Sequence, residues 1–331
     1  MMAYSLNSTN HSKSIEDLNN DLYETNKIPI VFIGLFTPIG ILGNFIVFYI
    51  YVCCLKRSTL NFLVEILALL DLICCFTALP LSVIKLQFPV LHPSAILCKF
   101  ENFSVMFYCL ASGLILTAIS FERFNRICRP EKQQISRRSA IYITVVTCCS
   151  SVVVSLPDAW FSNLTPIHIY GLTIQICSQA RALEQTAGFL LILSFIIIAI
   201  GFIVLMIVIL VLNFWIWKTV RHHLRYTESR THNLQKIKET NKKVKKMNIT
   251  VLCIIILFFL SFTPELIVYF PLDTAFTQKG IIAKTLFKHM WVLNCTLNPL
   301  VYGFFNQDFR NEFMNIWTKC ISCRTVTSSS S

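Results

Sequence analysis

The sequence predicts an all-α membrane protein, a bundle of seven transmembrane helices followed by a short amphipathic eighth helix. Of its 331 residues, 55% are hydrophobic and 14% are charged, whereas about a quarter of the residues are charged in soluble domains. Seven apolar segments follow one another, and each has the roughly 20 residues needed to cross a hydrocarbon core about 30 Å thick. The chain therefore divides into a tail at 1–27, a bundle at 28–305, and an amphipathic helix with a short tail at 306–331.

Each apolar segment is expected to be helical, because lipid offers no hydrogen-bond partners to an open strand. We call the segments spans 1 to 7, and they occupy residues 28–54, 60–86, 95–128, 140–160, 188–217, 248–271 and 281–305. Prolines within the spans predict kinks at Pro38, Pro80, Pro157, Pro264 and Pro299.

The distribution of positive charge predicts the orientation. The formal net charge is +12, and the excess lies in loops between apolar spans, which argues against a soluble basic face that binds nucleic acid. The loop at 218–246 carries ten Lys and Arg residues against two Glu residues. Because basic loops stay in the cytoplasm, we expect a multi-pass plasma-membrane protein with an extracellular N-terminus. The tail lacks the layout of a cleaved signal peptide, so span 1 is expected to act as an uncleaved anchor.

Three glycosylation sequons would face the outside in this orientation, at Asn7, Asn10 and Asn163. They lie in the N-terminal tail and in the loop after span 4, where a glycan meets no lipid.

The segment after span 7 has an apolar stripe, formed by Phe309, Phe313, Ile316 and Trp317. Such a stripe is typical of a helix that lies on the inner leaflet. The two cysteines that follow, Cys320 and Cys323, are predicted palmitoylation sites.

A disulfide is predicted at the outer surface. Cys98 begins span 3, about 38 Å along the helix from Arg123 at the other end, so it faces the oxidising side. Cys177 is the only cysteine in any predicted outer loop or tail. A Cys98–Cys177 disulfide would therefore tie the second outer loop to span 3.

Four polar side chains from three spans share a depth within the bilayer. Asp71, Ser112, Asn294 and Asn298 lie roughly 10 to 16 Å from the cytoplasmic ends of their helices. A carboxylate inside a membrane is costly and usually marks function. Its oxygen-rich neighbours suit a small hard cation such as Na⁺. The alternative is a hydrogen-bonded polar core without an ion.

Short motifs occur in the spans in a recurring order. They are Gly43-Asn44, Leu67-Ala68 with Asp71, Glu122-Arg123-Phe124, Phe258 with Pro264, and Asn298-Pro299-Leu300-Val301-Tyr302. Together with the disulfide they resemble the rhodopsin-like (class A) G-protein-coupled receptors, over nearly the whole chain from 28 to 323. The resemblance implies a receptor that transmits binding of an extracellular ligand to a heterotrimeric G protein.

The resemblance also implies roles for individual residues. Asp71, Ser112, Asn294 and Asn298 match an allosteric sodium site, Glu122, Arg123 and Tyr302 match the G-protein switch, and Phe258, Phe262 and Pro264 match the transmission switch. Chemically, Arg123 can be held by Glu122 in a closed bundle or released to a partner in an open one. The simpler alternative is an arginine that reaches the membrane interface.

Some positions depart from the family pattern. Val244 stands where an acid often restrains the arginine, and Phe124 replaces the commoner tyrosine. Span 4 lacks the usual tryptophan and span 5 the usual proline. The restraint on the inactive state is therefore expected to differ from the family pattern.

The ligand is expected to be a peptide, because the outer half of the bundle is polar and charged. Lys85, Glu101, Glu265, Lys284 and Lys288 lie there, and Glu265 needs either an ion-pair partner such as Lys288 or a basic ligand group. By resemblance, Val105 removes the anchor for an amine ligand, and Val292 removes the lysine that binds retinal.

A transporter, a decoy receptor and an enzyme are the alternative classes. A transporter would use the polar cluster as a cation path, but no inverted repeat is visible. A decoy receptor on the same scaffold would share the motifs without signalling. We expect no enzyme, since the sequence has no His-Glu-x-x-His or paired membrane aspartates, and no cofactor apart from allosteric Na⁺.

Overall fold

The computed structural model describes residues 14–169, 171–178, 185–228, 246, 249–264 and 278–328. The elements are α1 (Ile15–Tyr49) with one π-helical turn (Ile50–Cys54), α2 (Thr59–Phe76), α3 (Ala78–Gln87), α4 (Ala95–Cys128), α5 (Arg137–Phe161), β1 (Asn163–Ile169), β2 (Leu172–Ser178), α6 (Gln185–Glu228), α7 (Ile249–Pro264), α8 (Gln278–Lys288), α9 (Val292–Phe305) and α10 (Gln307–Ser328). Span 1 is α1, span 2 is α2 with α3, spans 3 to 6 are α4 to α7, and span 7 is α8 with α9.

The helices match the predicted spans in number and order. In the described part of the chain, five helical stretches are long and apolar enough to cross a membrane, and α7 and α9 are shorter apolar helices. Helix α4 packs against α2, α5 and α6, while α1 packs against α2 and α9. Span 3 therefore occupies the centre, and the outward face of α6 exposes mostly large apolar side chains, as lipid contact requires.

The first helix begins at Ile15, upstream of residue 28, where the predicted apolar span starts. Ser14 caps it, because its Oγ accepts from the Asp17 amide at 3.1 Å while Asp17 Oδ2 accepts from the Ser14 amide at 3.0 Å. This reciprocal pair is a capping box. Residues 15–27 thus extend α1 beyond the apolar span.

The extension of α1 packs against the outer ends of neighbouring elements. Asn26 donates to the Leu86 carbonyl at 3.0 Å. Leu18 joins Val90 and Ile174 in a small buried cluster of their own. The N-terminal extension is therefore held against span 2 and the β-hairpin.

Span 2 is two helices, and the break lies next to the kink predicted at Pro80. Helix α2 ends at Phe76, α3 begins at Ala78 and Thr77 lies between them. Pro80 causes the break, because it has no N–H to donate to the Phe76 carbonyl four residues earlier.

Span 7 is also two helices. Residues 289–291 form turns, and the amides of His289, Met290 and Val292 donate to carbonyls three residues earlier at 3.0 to 3.2 Å. This tighter winding is the 3₁₀ pattern. It separates α8 from α9.

Candidate functional site

The predicted polar residues lie on three helices, Asp71 on α2, Ser112 on α4, and Asn294 and Asn298 on α9. Asp71, Ser112, Asn294 and Asn298 are all between 1% and 3% exposed. Asn298 Nδ2 donates to Asp71 Oδ2 at 2.7 Å, which joins span 2 to span 7 directly.

Two carbonyl oxygens in this cluster are available to a further partner. The Oδ1 atoms of Asn294 and Asn298 are buried and accept no hydrogen bond from the described residues. An unsatisfied buried acceptor costs about 1 to 3 kcal/mol. With the Asp71 carboxylate, these oxygens are the hard ligands that a small cation or water would satisfy.

A second hydrogen bond in the same region joins spans 1 and 7, and Pro299 explains it. It cannot donate to the Cys295 carbonyl four residues earlier. Asn44 Nδ2 donates to that oxygen at 2.7 Å and to the Gly40 carbonyl at 3.0 Å, so the side chain ties span 1 to the backbone that proline leaves unpaired.

Spans 3, 5 and 6 meet at an aromatic cluster. Phe258 is 0% exposed, and its ring centroid lies 4.9 Å from that of Phe262 and 5.6 Å from that of Phe202. Gly113 of α4 allows this approach, because a Cβ there would lie 2.8 Å from Phe258 Cζ. Pro264 is the last described residue of α7.

The predicted switch residues are buried at the other end of α4. Glu122 is 2% exposed and Arg123 is 1% exposed. The Glu122 carboxylate is paired with the guanidinium of Arg126, one helical turn further along. This pairing was not predicted, since the sequence pattern assigned Glu122 to Arg123; Val244 lies outside the described residues.

Tyr302 is 3% exposed, and its hydroxyl makes no hydrogen bond within the part of the chain that the structure describes. It borders a cavity of about 90 Å³, which Asn61, Thr250 and Asn306 also line. Asn306 Nδ2 donates to the Tyr51 hydroxyl at 2.8 Å. A buried hydroxyl beside a cavity can gain a hydrogen-bond partner there.

The apolar stripe of α10 continues the core of the bundle. The centroid of Phe309 lies 6.3 Å from that of Tyr302 and 6.4 Å from that of Phe313, and Phe313 lies 6.4 Å from Trp317. The stripe therefore has the one-sided arrangement that the sequence predicts. Cys320 and Cys323 lie on α10, but their side chains are outside the described part.

The outer half of the bundle contains a buried ion pair that the sequence pattern did not assign. Lys85 Nζ donates to Glu101 Oε2 at 2.6 Å and to Asn102 Oδ1 at 2.9 Å. Ser82 Oγ donates to Glu101 Oε1 at 3.0 Å. The pair joins spans 2 and 3. In the sequence, it could have been inferred from the opposite charges that lie on either side of the first outer loop.

The other predicted pocket residues are only partly described. Val105 is half-buried on α4, and Lys284 and Lys288 lie on α8. Lys288 and His289 act electrostatically on the Glu101 carboxylate. Glu265 lies outside the described residues, so its predicted pairing with Lys288 stays a prediction.

Cys98 and Cys177 form the predicted disulfide. It joins the start of α4 to β2, whose Cys177 is paired with Leu164 in the antiparallel hairpin. Asn102 Nδ2 donates to Ser162 Oγ at 2.9 Å, next to this link. The hairpin is thereby fixed over spans 3 and 4.

The glycosylation sequons have different places. Asn163 is half-buried at the start of β1, where it pairs with Ser178. Asn7 and Asn10 lie outside the described residues.

Span 4 contains a polar stripe that sequence reasoning missed. Thr147, Ser151, Ser155 and Asp158 are all at most 6% exposed. They repeat at three- and four-residue intervals, which places them on one helical face. That periodicity and the intramembrane carboxylate were the available signals.

Comparison with known proteins decides the family. Residues 43–302 match the model of the 7 transmembrane receptor (rhodopsin family). The chain belongs to this family. Asp71, Arg123 and Tyr302 lie within the matched residues.

Several curated rhodopsin-family receptors are similar to the chain. The RYamide receptor of Drosophila melanogaster is 25% identical over 90% of this chain and 66% of its own length. The neuropeptide F receptor of the same organism is 22% identical over 87% of this chain and 61% of its own length. The type-1 angiotensin II receptor of Canis lupus familiaris is 29% identical, with 84% and 77% covered. The match thus spans less than two thirds of the first two relatives.

The fold is that of a solved family member. The crystal structure of squid rhodopsin superimposes with a TM-score of 0.69 at 19% identity, covering 92% of this chain and 87% of that chain. This likeness shows the seven-helix fold.

Proposed function

We propose that this rhodopsin-family chain is a receptor that binds an extracellular peptide and activates a heterotrimeric G protein. The observation that carries the proposal is the buried Arg123, 1% exposed at the inner end of the central helix, in a chain whose relatives are named as RYamide, neuropeptide F and angiotensin II receptors. The receptor catalyses no reaction, and a ligand acts by shifting the population toward a conformation that the partner binds.

The proposed orientation places the N-terminus outside the plasma membrane and the basic loops inside. A peptide would enter beside the hairpin and meet Glu101, Val105, Glu265, Lys284 and Lys288. Charged side chains there suit the charged groups of a peptide. In the same orientation Asn7, Asn10 and Asn163 are available to glycosylation, and Cys320 and Cys323 to palmitoylation.

Coupling is tested by G-protein activation in cells, with and without a peptide library. We expect Arg123→Ala to abolish the signal of the wild type at equal surface expression. Lys132→Ala is the control, because Lys132 carries the same charge in the loop after α4 and is exposed. Loss of signal in both variants, or a wild type that is silent with every G-protein family, would contradict the proposal, and silence would indicate a decoy.

We also propose that the cluster around Asp71 holds Na⁺ as an allosteric ion. The Asp71 carboxylate, the Ser112 hydroxyl and the amide oxygens of Asn294 and Asn298 supply oxygen ligands, and the two amide oxygens without hydrogen bonds support this assignment. A bound cation offsets the cost of the buried carboxylate.

The sodium proposal is tested by melting the purified receptor in Na⁺ and in K⁺ at equal ionic strength. An ion that binds only the folded state stabilises it by mass action. We expect Na⁺ to raise the melting temperature of the wild type and of Ser104→Ala, but not of Asp71→Asn or Ser112→Ala. Ser104 is the control because its buried hydroxyl donates to the Phe100 carbonyl on the same helix at 2.6 Å. A sodium effect that survives Asp71→Asn would refute the site.

A further inference from the structure

A small cavity of about 60 Å³ lies where the inner ends of spans 1, 2 and 4 meet. Its lining includes Arg57, from the loop before α2, and Arg137, the first residue of α5. Phe62 and Glu65, one helical turn apart on α2, form another wall. None of these residues belongs to the ligand pocket, the polar cluster or the G-protein switch.

The two arginines make the cavity a site for an anion. The Arg137 guanidinium lies over the Phe62 ring, 5.6 Å from its centroid, and stacking leaves the N–H edges of a guanidinium available. Neither Arg57 nor Arg137 has a carboxylate within salt-bridge distance in the described part of the chain. Glu65 supplies the only negative charge of the lining, so two positive charges face one negative charge.

The surroundings of the cavity are apolar on the lipid side. Val52, which lines the cavity, is 39% exposed, and Phe45 on the same helix is 58% exposed. On α5, Ile141 is 45% exposed and Tyr142 is 73% exposed. A ligand with its charge in the cavity would therefore lay apolar chains along spans 1 and 4.

We propose that this cavity binds the phosphate headgroup of an anionic lipid of the inner leaflet. Guanidinium groups bind phosphate by paired hydrogen bonds, and basic pockets between transmembrane helices on the cytoplasmic side select phosphorylated lipids. The adjoining apolar faces favour a lipid over a free phosphate. The inference rests on the proposed orientation, which places the inner ends of the spans in the cytoplasm.

The test uses the full chain in phosphatidylcholine nanodiscs, titrated with phosphatidylinositol 4,5-bisphosphate. We expect Arg57→Gln and Arg137→Gln each to weaken lipid binding about fivefold, the effect of one basic side chain near an anionic headgroup. Lys56→Gln and Arg138→Gln are matched controls, because Lys56 and Arg138 are exposed neighbours of equal charge outside the lining. These controls should stay within about twofold of the wild type.

Glu65→Gln gives a result that misfolding cannot imitate. Removing the only acid of the lining should tighten binding severalfold, whereas a damaged protein would bind more weakly. Equal losses in all four basic variants would overturn the site in favour of diffuse surface charge. Competition by soluble inositol trisphosphate as effective as that by the lipid would overturn the lipid assignment.

This measurement is independent of signalling. Both leaflets of a nanodisc are accessible and no G protein is present, so lipid binding is observed whichever way the chain is inserted in cells. If the receptor activates a G protein but does not bind the lipid in these titrations, only the proposed lipid site is refuted. If it binds the lipid but activates no G protein, only the coupling proposal is refuted.

Discussion

Gly43→Ala should destabilise the bundle, because no space exists for its methyl group. A Cβ at Gly43 would lie 2.7 Å from both Cβ and Cγ of Pro299, whereas ordinary contacts begin at 3.4 Å. The proline ring cannot rotate away, so α1 and α9 would have to separate by several tenths of an ångström. Overpacking of this kind costs about 1 to 3 kcal/mol.

Gly34→Ala is the matched control on the same helix. A Cβ at Gly34 meets nothing within 4 Å, so the variant gains helix propensity of up to about 1 kcal/mol without a clash. Since both variants share that gain, the difference in their free energies of unfolding isolates the contact with Pro299. That difference should be about 1 to 3 kcal/mol.

The protein's own cysteines provide the assay. Cys74, Cys75 and Cys295 are at most 3% exposed, so a thiol-reactive fluorophore labels them when the bundle unfolds on heating. We expect Gly43→Ala to melt several degrees below Gly34→Ala in the same detergent. Equal melting temperatures, or a more stable Gly43→Ala, would refute the close packing of spans 1 and 7.

Three further predictions use the same melting assay. Lys85→Met leaves the Glu101 carboxylate buried without its cation and should cost about 3 to 5 kcal/mol; addition of Glu101→Leu should recover most of the loss, and no recovery would contradict the pair. Cys98→Ser opens a link between residues 79 apart and should cost at most about 4 kcal/mol, because inserted helices already restrain that loop; a melt unchanged by the substitution would argue against the disulfide. Burial lowers the pKa of His92 below its ordinary 6.5, so the unfolded chain takes up a proton first and stability should fall as the pH drops below about 6.5; His92→Gln should flatten that slope, and an unaltered pH profile would refute the cause.

The spans could be predicted because membrane insertion imposes one simple requirement, about 20 apolar residues per helix. The Cys98–Cys177 disulfide and the contact between Asp71 and Asn298 followed from helix geometry, since 1.5 Å per residue converts sequence position into depth. The depth of a residue in the membrane can therefore be estimated from its position within a span.

Other features depend on forces that hydropathy does not measure. The extension of α1 to Ile15 rests on the Ser14 capping box and on packing of Leu18, both outside the membrane. The pairing of Lys85 with Glu101 depends on the rotation of two helices about their axes, which depth leaves undetermined. Likewise, Glu122 pairs with Arg126 because an i,i+4 neighbour on the same face is closer than the next residue in sequence.

Spans 2 and 7 each consist of an inner and an outer helix arranged end to end. The outer helices are α3, which carries Lys85, and α8, which carries Lys284. The inner helices are α2, which carries Asp71, and α9, which carries Asn298. Because Pro80 cannot donate to the Phe76 carbonyl and residues 289–291 form turns, either outer helix can tilt with little bending of the inner one. A ligand that tilts one of the outer helices would therefore displace Lys85 or Lys284 further than Asp71 or Asn298.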